Sequence, residues 1–492
     1  MFLRTAAAAL ALLTGACATP PLPSTATPAP AWRASPDQAA FVDDLSQRTF
    51  RYFWDTTDPR TCLAPDRWPS TPFSSVAAIG FALTAYGIGA EHGWVSREEA
   101  AKRTADCLDF LYALPQGPEA SGVAGHKGFF YHFLDFQRGH RYRTVELSSV
   151  DTTLMLGGAL FAQSYFDRAT ADERRIRDMA EKLYRRVDWT FMQRGPADKP
   201  ATNLPGSKGL SMGWRPERGY EPHDWVGYNE GMLVYILALG SPTHPVGKEA
   251  WDDGWARKLP EDWGQYMGQT YLTFEPLFGH QYSHVWVDFR GITEPFIASK
   301  GIDYFENSRR ATLAQQEYGR RNPNAWVGYG DHMWGWTASD GPENSSGKRI
   351  VNGRARTFQT YSARGVSPSV VRDDGTLVPT APGGSIPFAP EATIPTLMAM
   401  KDRYPRAWDR YGFRDAFNPS FTFTDPPSRS GTVDARDGWV ANDYLGIDQG
   451  PILAMAENWR SGLVWKTMRK NPHIRRGLTR IGFSGGWLSE KR

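Results

Sequence analysis

The chain has 492 residues, with 56 Lys and Arg against 53 Asp and Glu; this near-balance, without a basic stripe, argues against a nucleic-acid partner. Three cysteines and no Cys-x-x-Cys pair exclude a zinc ribbon. Aromatic residues reach 13%, many in loop-like segments beside Gly, Asp and Asn, which suits either stacking on the C–H faces of sugar rings or the filling of a large core.

Residues 1–17 read as a signal peptide: Arg4, an apolar run from Ala6 to Leu13, then Thr14-Gly15-Ala16 and Cys17. The run is too short to span a bilayer. Cys17 directly after small residues resembles the lipobox of bacterial lipoproteins, with Thr14 a loose fit and cleavage after Ala18 the competing reading. The expectation is an exported, periplasmic monomer held to the membrane only by a lipid on Cys17. Residues 18–36, rich in Pro, Ala, Thr and Ser, form an extended tether. No second linker follows, so residues 37–492 are expected as one domain. Cys62 and Cys107 can pair in an exported protein or stay as two buried thiols.

Ser35-Pro36-Asp37 predicts a helix start, with an apolar face from Phe41 to Trp54. Thr56 to Phe73 is a loop, broken by Pro59, Pro65, Pro69 and Pro72. Ser74 to Gly89 is apolar all round and predicts a buried helix. Ser96-Arg97-Glu98-Glu99 is a capping box opening a surface helix. Gly122 to Gly139 is aromatic loop or short strand, and Thr152 to Phe166 is a second buried helix. Thr170-Ala171-Asp172-Glu173 is another capping box, opening a polar helix to about Trp189. His223 to Glu230 is aromatic and polar, and Gly231 to Leu239 is a third buried helix that stops at Gly240-Ser241-Pro242. Glu230 thus stands where an aromatic loop becomes a buried helix. There it either caps the helix or, in an apolar pocket, holds its proton and can donate it.

Pro276 to Arg290 is aromatic and places His280 and His284 at i and i+4. On a helix they could share a metal, but no third ligand accompanies them. Hydrogen bonding to substrate or to a packed aromatic shell is expected instead, with no metal or cofactor. Phe305 to Arg320 is a helix. Trp326 to Pro342 is a glycine-rich aromatic loop, a plausible cleft wall. Asp448 is expected just before a last buried helix, with Pro451 at its start.

Buried helix, surface helix and loop thus recur, and strand-like alternation is weak. The expected class is all-α, an (α/α)6 barrel of helical hairpins in two concentric rings. Asp135, Glu146, Asp151 and Glu230 all precede expected inner helices, which places them at one end, in one cleft.

The segments Asp135–Asp151 (FLD…ELSSVDT), Tyr228-Asn229-Glu230, Pro276–Arg290 (PLFGHQYSHVWVDFR), Asp303–Gln315 (DYFENSRRATLAQ), Trp334–Pro342 (WGWTASDGP), Phe388–Glu391 (FAPE) and Ile447–Pro451 (IDQGP) resemble the bacterial glycoamylase-like domain. That domain covers glycoside hydrolase family 144, the β-1,2-glucanases, and is similar to the C-terminal domain of cyclic β-1,2-glucan synthases. The resemblance runs from about Phe50 to about Trp465. It implies an (α/α)6 barrel and hydrolysis of β-1,2-glucan, endo-acting or with release of sophorose from chain ends, with inversion at the anomeric carbon. It also implies that Glu230 is an essential acid.

Such hydrolysis takes two carboxyl groups, one to protonate the leaving oxygen and one to activate water or attack carbon. Beside Glu230 the candidates are Glu146, Asp151, Asp415 and Asp448. As alternatives, Glu146 and Asp151 cap a helix, Asp448 caps the helix behind Pro451, Asp415 pairs with Arg414, and Asp340 closes an Asp-Gly turn. Asp135, Tyr228, His280, Gln281, His284, Arg290, Tyr329, Trp334 and Asp340 are the expected substrate-binding residues. A transglycosylase or a lyase using Tyr282 with His280 or His284, and a non-catalytic glycan-binding lipoprotein, are the competing functions.

Overall fold

The computed structural model describes residues 32–194, 202–344, 349–425 and 430–490. The leader, Cys17 and most of the tether lie outside the described residues.

Helix α1, Pro36–Thr56, opens with Ser35 accepting from the Gln38 N–H at 3.2 Å while Gln38 Oε1 accepts from the Ser35 N–H at 2.9 Å. α2 is Val76–Glu91, buried at every position but the last two. α3, Arg97–Ala113, carries the expected Ser96–Glu99 capping box. α4 is Ser149–Tyr165, again buried on nearly every face. α5, Ala171–Arg185, is capped by Thr170, but Glu173 does not reach back to complete the box. Its carboxylate is taken by Arg97 and by the Arg168 N–H, so a tertiary ion pair displaces the local bond. α5 also ends before Trp189, which begins a separate turn.

α6, Met232–Gly240, is buried throughout, and each fully buried Leu, Ile or Val there contributes about 1.5–3 kcal/mol. The aromatic stretch Pro276–Arg290 contains the short helix α7, Tyr282–Trp286, and His280 lies ahead of it. α8 is Tyr304–Arg321, α9 Pro390–Arg403, α10 Gly446–Arg460 and α11 Pro472–Ile481. α10 starts before Asp448, so Asp448 is in its first turn and Pro451 lies inside it rather than at its start. Proline removes the hydrogen bond that would return to the carbonyl four residues back. That carbonyl, of Ile447, instead accepts from the Tyr282 hydroxyl at 3.3 Å.

α2 is the hinge of the packing: it lies against α4 on one side and α10 on the other, and α4 lies against α6. α2 and α4 touch backbone to backbone through glycines. A Cβ at Gly80 would sit 2.1 Å from the Leu154 carbonyl oxygen, and one at Gly158 would sit 2.0 Å from that of Gly80. The more polar α1, α3 and α5 pack outside, α1 on α2 and α10, α3 on α2 and α5, and α5 on α4.

The chain is helix-rich rather than purely helical. Its strands are two to four residues long, too short to show as alternation in sequence. Five of them, Gly125–His126, Phe129–Tyr131, Leu147–Ser148, Gly213–Arg215 and Gly219–Tyr220, form an antiparallel sheet. Three buried helices are entered from such strands. Ser74–Ser75 leads into α2 and pairs with Phe133–Leu134; Leu147–Ser148 leads into α4; Tyr444–Leu445 leads into α10 and pairs with Arg67–Trp68. This pairing gathers the starts of the buried helices at one end. Cys62 and Cys107 are disulfide-bonded, tying the loop before α2 to α3.

Candidate active site

A cavity of about 500 Å³ opens where α2, α4, α6 and α10 begin. Its wall includes Ser75 and Ala77 of α2, Val150, Asp151 and Leu154 of α4, Glu230, Tyr282 of α7, and Leu445 and Ile447 at α10. Asp66, Arg67, His132 and Tyr361 complete its polar lining.

Glu230 precedes α6 and does not cap it: Gly231 holds the N-cap position, without a side-chain cap bond. The backbone around Glu230 is fixed by neighbours. The Ser283 hydroxyl donates to the Glu230 carbonyl at 3.2 Å and accepts from the Leu233 N–H at 3.1 Å. Trp225 Nε1 donates to Ser149 Oγ at 2.9 Å, and Tyr235 donates to the Trp225 carbonyl at 2.7 Å. The side chain is half-buried at the cavity surface, and its Oε2 is buried without a hydrogen-bond partner. Burial pushes the carboxyl up to about 7; its own N–H opposes the shift and the charge of Asp151 adds to it.

Next to it, His132 bridges two carboxylates. Nδ1 lies 2.8 Å from Glu146 Oε1, and Nε2 lies 3.5 Å from Asp151 Oδ1. Burial works against the imidazolium, but Asp151 and Glu146 outweigh it and raise His132 to about 9. Burial likewise works against the Glu146 carboxylate, yet His132 and Arg215, at 3.0 Å, bring it down to about 2. Asp151 is raised by burial, with His132 and the Ser148 hydroxyl opposing. The register Tyr131↔Leu147 explains the meeting: it lays His132 beside Glu146 across two strands.

The other wall is an acid group around one cation. Arg67 donates to Asp66 at 3.1 Å and to Asp340 at 2.7 Å. Behind it, the Asp340 N–H donates to Asp415 Oδ2 at 2.8 Å, and Asp415 and Asp448 lie close enough to act on each other's charge. Burial, with the mutual repulsion of these carboxylates, raises both Asp415 and Asp448. Each has one buried oxygen without a partner among the described residues. Asp415 therefore does not pair with Arg414, which is held by Asp409. Asp448 is not a side-chain cap. Asp340 serves Arg67 rather than a turn.

The structure does not bring the other expected residues to the cavity. Asp135 caps its own turn, accepting from the N–H groups of Gln137, Arg138 and His140. Tyr228 is buried against Tyr304 and His280. His280 and His284 are buried in an aromatic shell that pushes each down to about 3, His284 beside the Ser308 hydroxyl at 3.1 Å. Gln281 donates to the Ala381 carbonyl and to Ser385, both at 2.8 Å. Arg290 is an exposed partner of Asp288 that stacks on Trp465. Tyr329 bonds Asp373 at 2.7 Å, and Trp334 is fully buried against Gly319 of α8. Dense aromatic and polar sequence marks core and cleft alike, so composition could not separate them. Asp66, Arg67, His132 and Tyr361 were missed because they reach the cavity through strand pairings and loops that carry no local signal.

The family described as "Putative glucoamylase" matches residues 222–472, and the chain belongs to that family. It is 27% identical over 476 residues to the exo β-1,2-glucooligosaccharide sophorohydrolase (non-reducing end) of Parabacteroides distasonis, covering 89% of this chain and 57% of that relative. The chain thus spans little more than half the length of that curated relative. Among solved structures, it is similar to an endo-β-1,2-glucanase from Chitinophaga pinensis in complex with sophorotriose and glucose. The TM-score is 0.73 and the identity 26%, over 92% of this chain and 99% of that one. A β-1,2-glucanase from Parabacteroides distasonis matches with TM-score 0.74 and 26% identity, over 90% of this chain and 60% of that one.

Proposed function

We propose that this chain is a glycoside hydrolase cleaving β-1,2-glucan, with Glu230 as the general acid. The observation that carries the reading is a single carboxyl, half-buried at the cavity surface and poised at about 7, beside a cavity of saccharide size. A group with that affinity holds its proton near neutral pH and can release it to a leaving oxygen. The names of the relatives supply the β-1,2 linkage. The partner carboxylate belongs to the Arg67 group, with Asp66 at the cavity surface and Asp340, Asp415 and Asp448 behind it. Inversion is carried into this reading from the family resemblance, with a water activated by that partner.

In the same reading, α2, α4, α6 and α10 are inner members of an (α/α)6 double ring, with α1, α3 and α5 outside. Export as a periplasmic monomer anchored by a lipid on Cys17 is proposed from sequence alone. Cys17→Ala should release the protein from the membrane fraction, and unchanged membrane association refutes the anchor. For the activity, the protein is incubated with linear β-1,2-glucan and with starch. Reducing ends are expected from the first and hardly any from the second, and product lengths over time separate endo cleavage from sophorose release. Glucose release from starch with β-1,2-glucan untouched overturns the reading.

A further inference from the structure

One large side chain in the cavity wall does nothing for the fold. Tyr361 lines the cavity together with Asp66, Arg67 and Glu230, and 52% of its surface is open. Backbone and Cβ make up little of a tyrosine's surface, so an opening of that size exposes the ring. Among the described residues its side chain makes no hydrogen bond, ion pair or ring contact. Tyr282, in the same wall, is different: its hydroxyl donates to the Ile447 carbonyl at 3.3 Å, and its ring meets Phe278 and Phe81.

The backbone beneath Tyr361 is fastened on both sides. The Gln359 N–H donates to Asp374 Oδ2 at 3.0 Å, and the Thr360 N–H donates to Asn344 Oδ1 at 2.9 Å. Ser362 pairs with Ser339 in a two-stranded sheet. The buried Arg364, paired with Asp374, donates to the Gln359 and Thr360 carbonyls at 2.9 and 3.0 Å and to the Ser339 carbonyl at 2.7 Å. One cation thus fixes both the turn that carries Tyr361 and the strand that leads to Asp340. Crowding by the cavity walls, and then the charges of Asp448, Asp415, Asp66 and Asp340, push the Tyr361 phenol well above its ordinary range. It therefore stays an O–H donor at any working pH.

We propose that Tyr361 positions one glucose unit of the glucan in the cavity, with its open ring against the C–H face of the sugar and its hydroxyl donating to a sugar oxygen. The inference rests on the glucan-hydrolase reading and adds a substrate contact to it. The occupant follows from place: a glucan whose leaving oxygen reaches Glu230 lies in the cavity that Tyr361 lines. Beside the ring, Asp66 can accept from sugar hydroxyls and Arg67 can donate to them. A ring held by a fixed backbone loses little freedom when the sugar arrives.

The experiment compares Tyr361, Tyr361→Phe and Tyr361→Ala by three readouts: melting temperature, kcat and KM on β-1,2-linked glucose oligomers, and calorimetric binding of the same oligomers in a Glu230→Gln background. Tyr361→Ala should weaken binding and raise KM about tenfold, equal to about 1.4 kcal/mol. Tyr361→Phe keeps the ring and loses one hydrogen bond, so its loss should be about threefold. The melting temperature should not fall in either variant, because no fold contact is removed. Unchanged affinity and KM in Tyr361→Ala overturn the proposal and leave the hydrolase reading intact. So does a Tyr361→Phe loss as large as that of Tyr361→Ala, since the ring then contributes nothing, or a lowered melting temperature with affinity kept, since the residue is then structural. A wild-type protein that neither cleaves nor binds any β-1,2-glucan overturns both.

Discussion

Glu146 and Glu230 both stand near the His132–Asp151 pair and are driven in opposite directions. Glu146 sits between His132 and Arg215, two cations that hold it at about 2. Among the described residues Glu230 has no cation beside it and one oxygen without a partner; burial and the nearby negative Asp151 raise it to about 7. Residue type and burial alone do not separate these two glutamates; the charges that other strands bring alongside do. The difference assigns work as well. A carboxylate locked in two ion pairs is a fixture of the wall, whereas an unpaired one can trade its proton.

The largest effect should come from Glu230→Gln. As general acid, Glu230 supplies about 10²–10⁴-fold or more of the rate, and kcat should fall by that factor. The variant should also separate from wild type in stability. A carboxyl raised from 4.5 to about 7 by folding favours the fold at low pH, and that favour is lost as pH rises toward 7 and beyond. Gln never ionises, so Glu230→Gln should melt higher than wild type at pH 8 and close to it at pH 4. A lower melting temperature at both pH values with kcat kept would reduce Glu230 to a structural residue.

An intermediate effect is expected from His132→Gln. Without the imidazolium, Asp151 protonates more readily and no longer repels charge on Glu230. The Glu230 affinity for its proton should fall, and the basic limb of the kcat/KM profile should move to lower pH. The groups facing His132 are Glu146, Asp151 and Asp66, with Arg215 and Arg67 as their partners, and none of these replaces its charge on Asp151. Wild-type stability should carry the matching signature. His132, raised to about 9 from 6.5, stabilises the fold fully below pH 6.5 and loses that contribution as pH rises through 9. With the side chain a third exposed, the loss is on the order of 1–2 kcal/mol, read from urea unfolding at pH 6 and pH 10. An unmoved basic limb would show that Glu230 owes its rise to burial and not to Asp151.

The smallest effect should be Tyr282→Phe. The phenol donates to the Ile447 carbonyl that Pro451 leaves free, at the cavity wall, so its removal should cost about 0.5–1.5 kcal/mol, the net contribution of one hydrogen bond. Both glutamates should keep their proton affinities, and the shape of the pH profile should be unchanged.

Much of the helical frame was legible in sequence. The all-round apolar runs of α2, α4 and α6, and the Ser96–Glu99 box, are local signals, and local physics keeps them. So is the position of Glu230 ahead of a buried helix, whereas α4 begins two residues before Asp151 and holds it in its first turn. Asp66, Arg67 and His132 were not legible, because two-residue strands place them, and strands that short leave no period. His280, Gln281, His284, Tyr228 and Trp334 misled for the converse reason. Their aromatic and polar neighbourhood serves a buried core, in which Tyr228 and His284 meet Ser308 and Gln281 meets Ser385 and the Ala381 carbonyl, while Trp334 Nε1, Gln281 Oε1 and Nδ1 of both histidines find no partner among the described residues.

Cys62 lies four residues ahead of Asp66, so the disulfide to Cys107 fastens the segment that delivers Asp66 and Arg67. Closing a loop of 45 residues is worth about 4 kcal/mol in chain entropy. That sum depends on the thiol–disulfide poise of the surroundings. Protein made in a reducing cytosol should therefore keep Glu230 and the wall around it, while the Arg67 side is left more loosely held. Preparations that differ only in host compartment should then differ in turnover, and mild oxidation should bring them together.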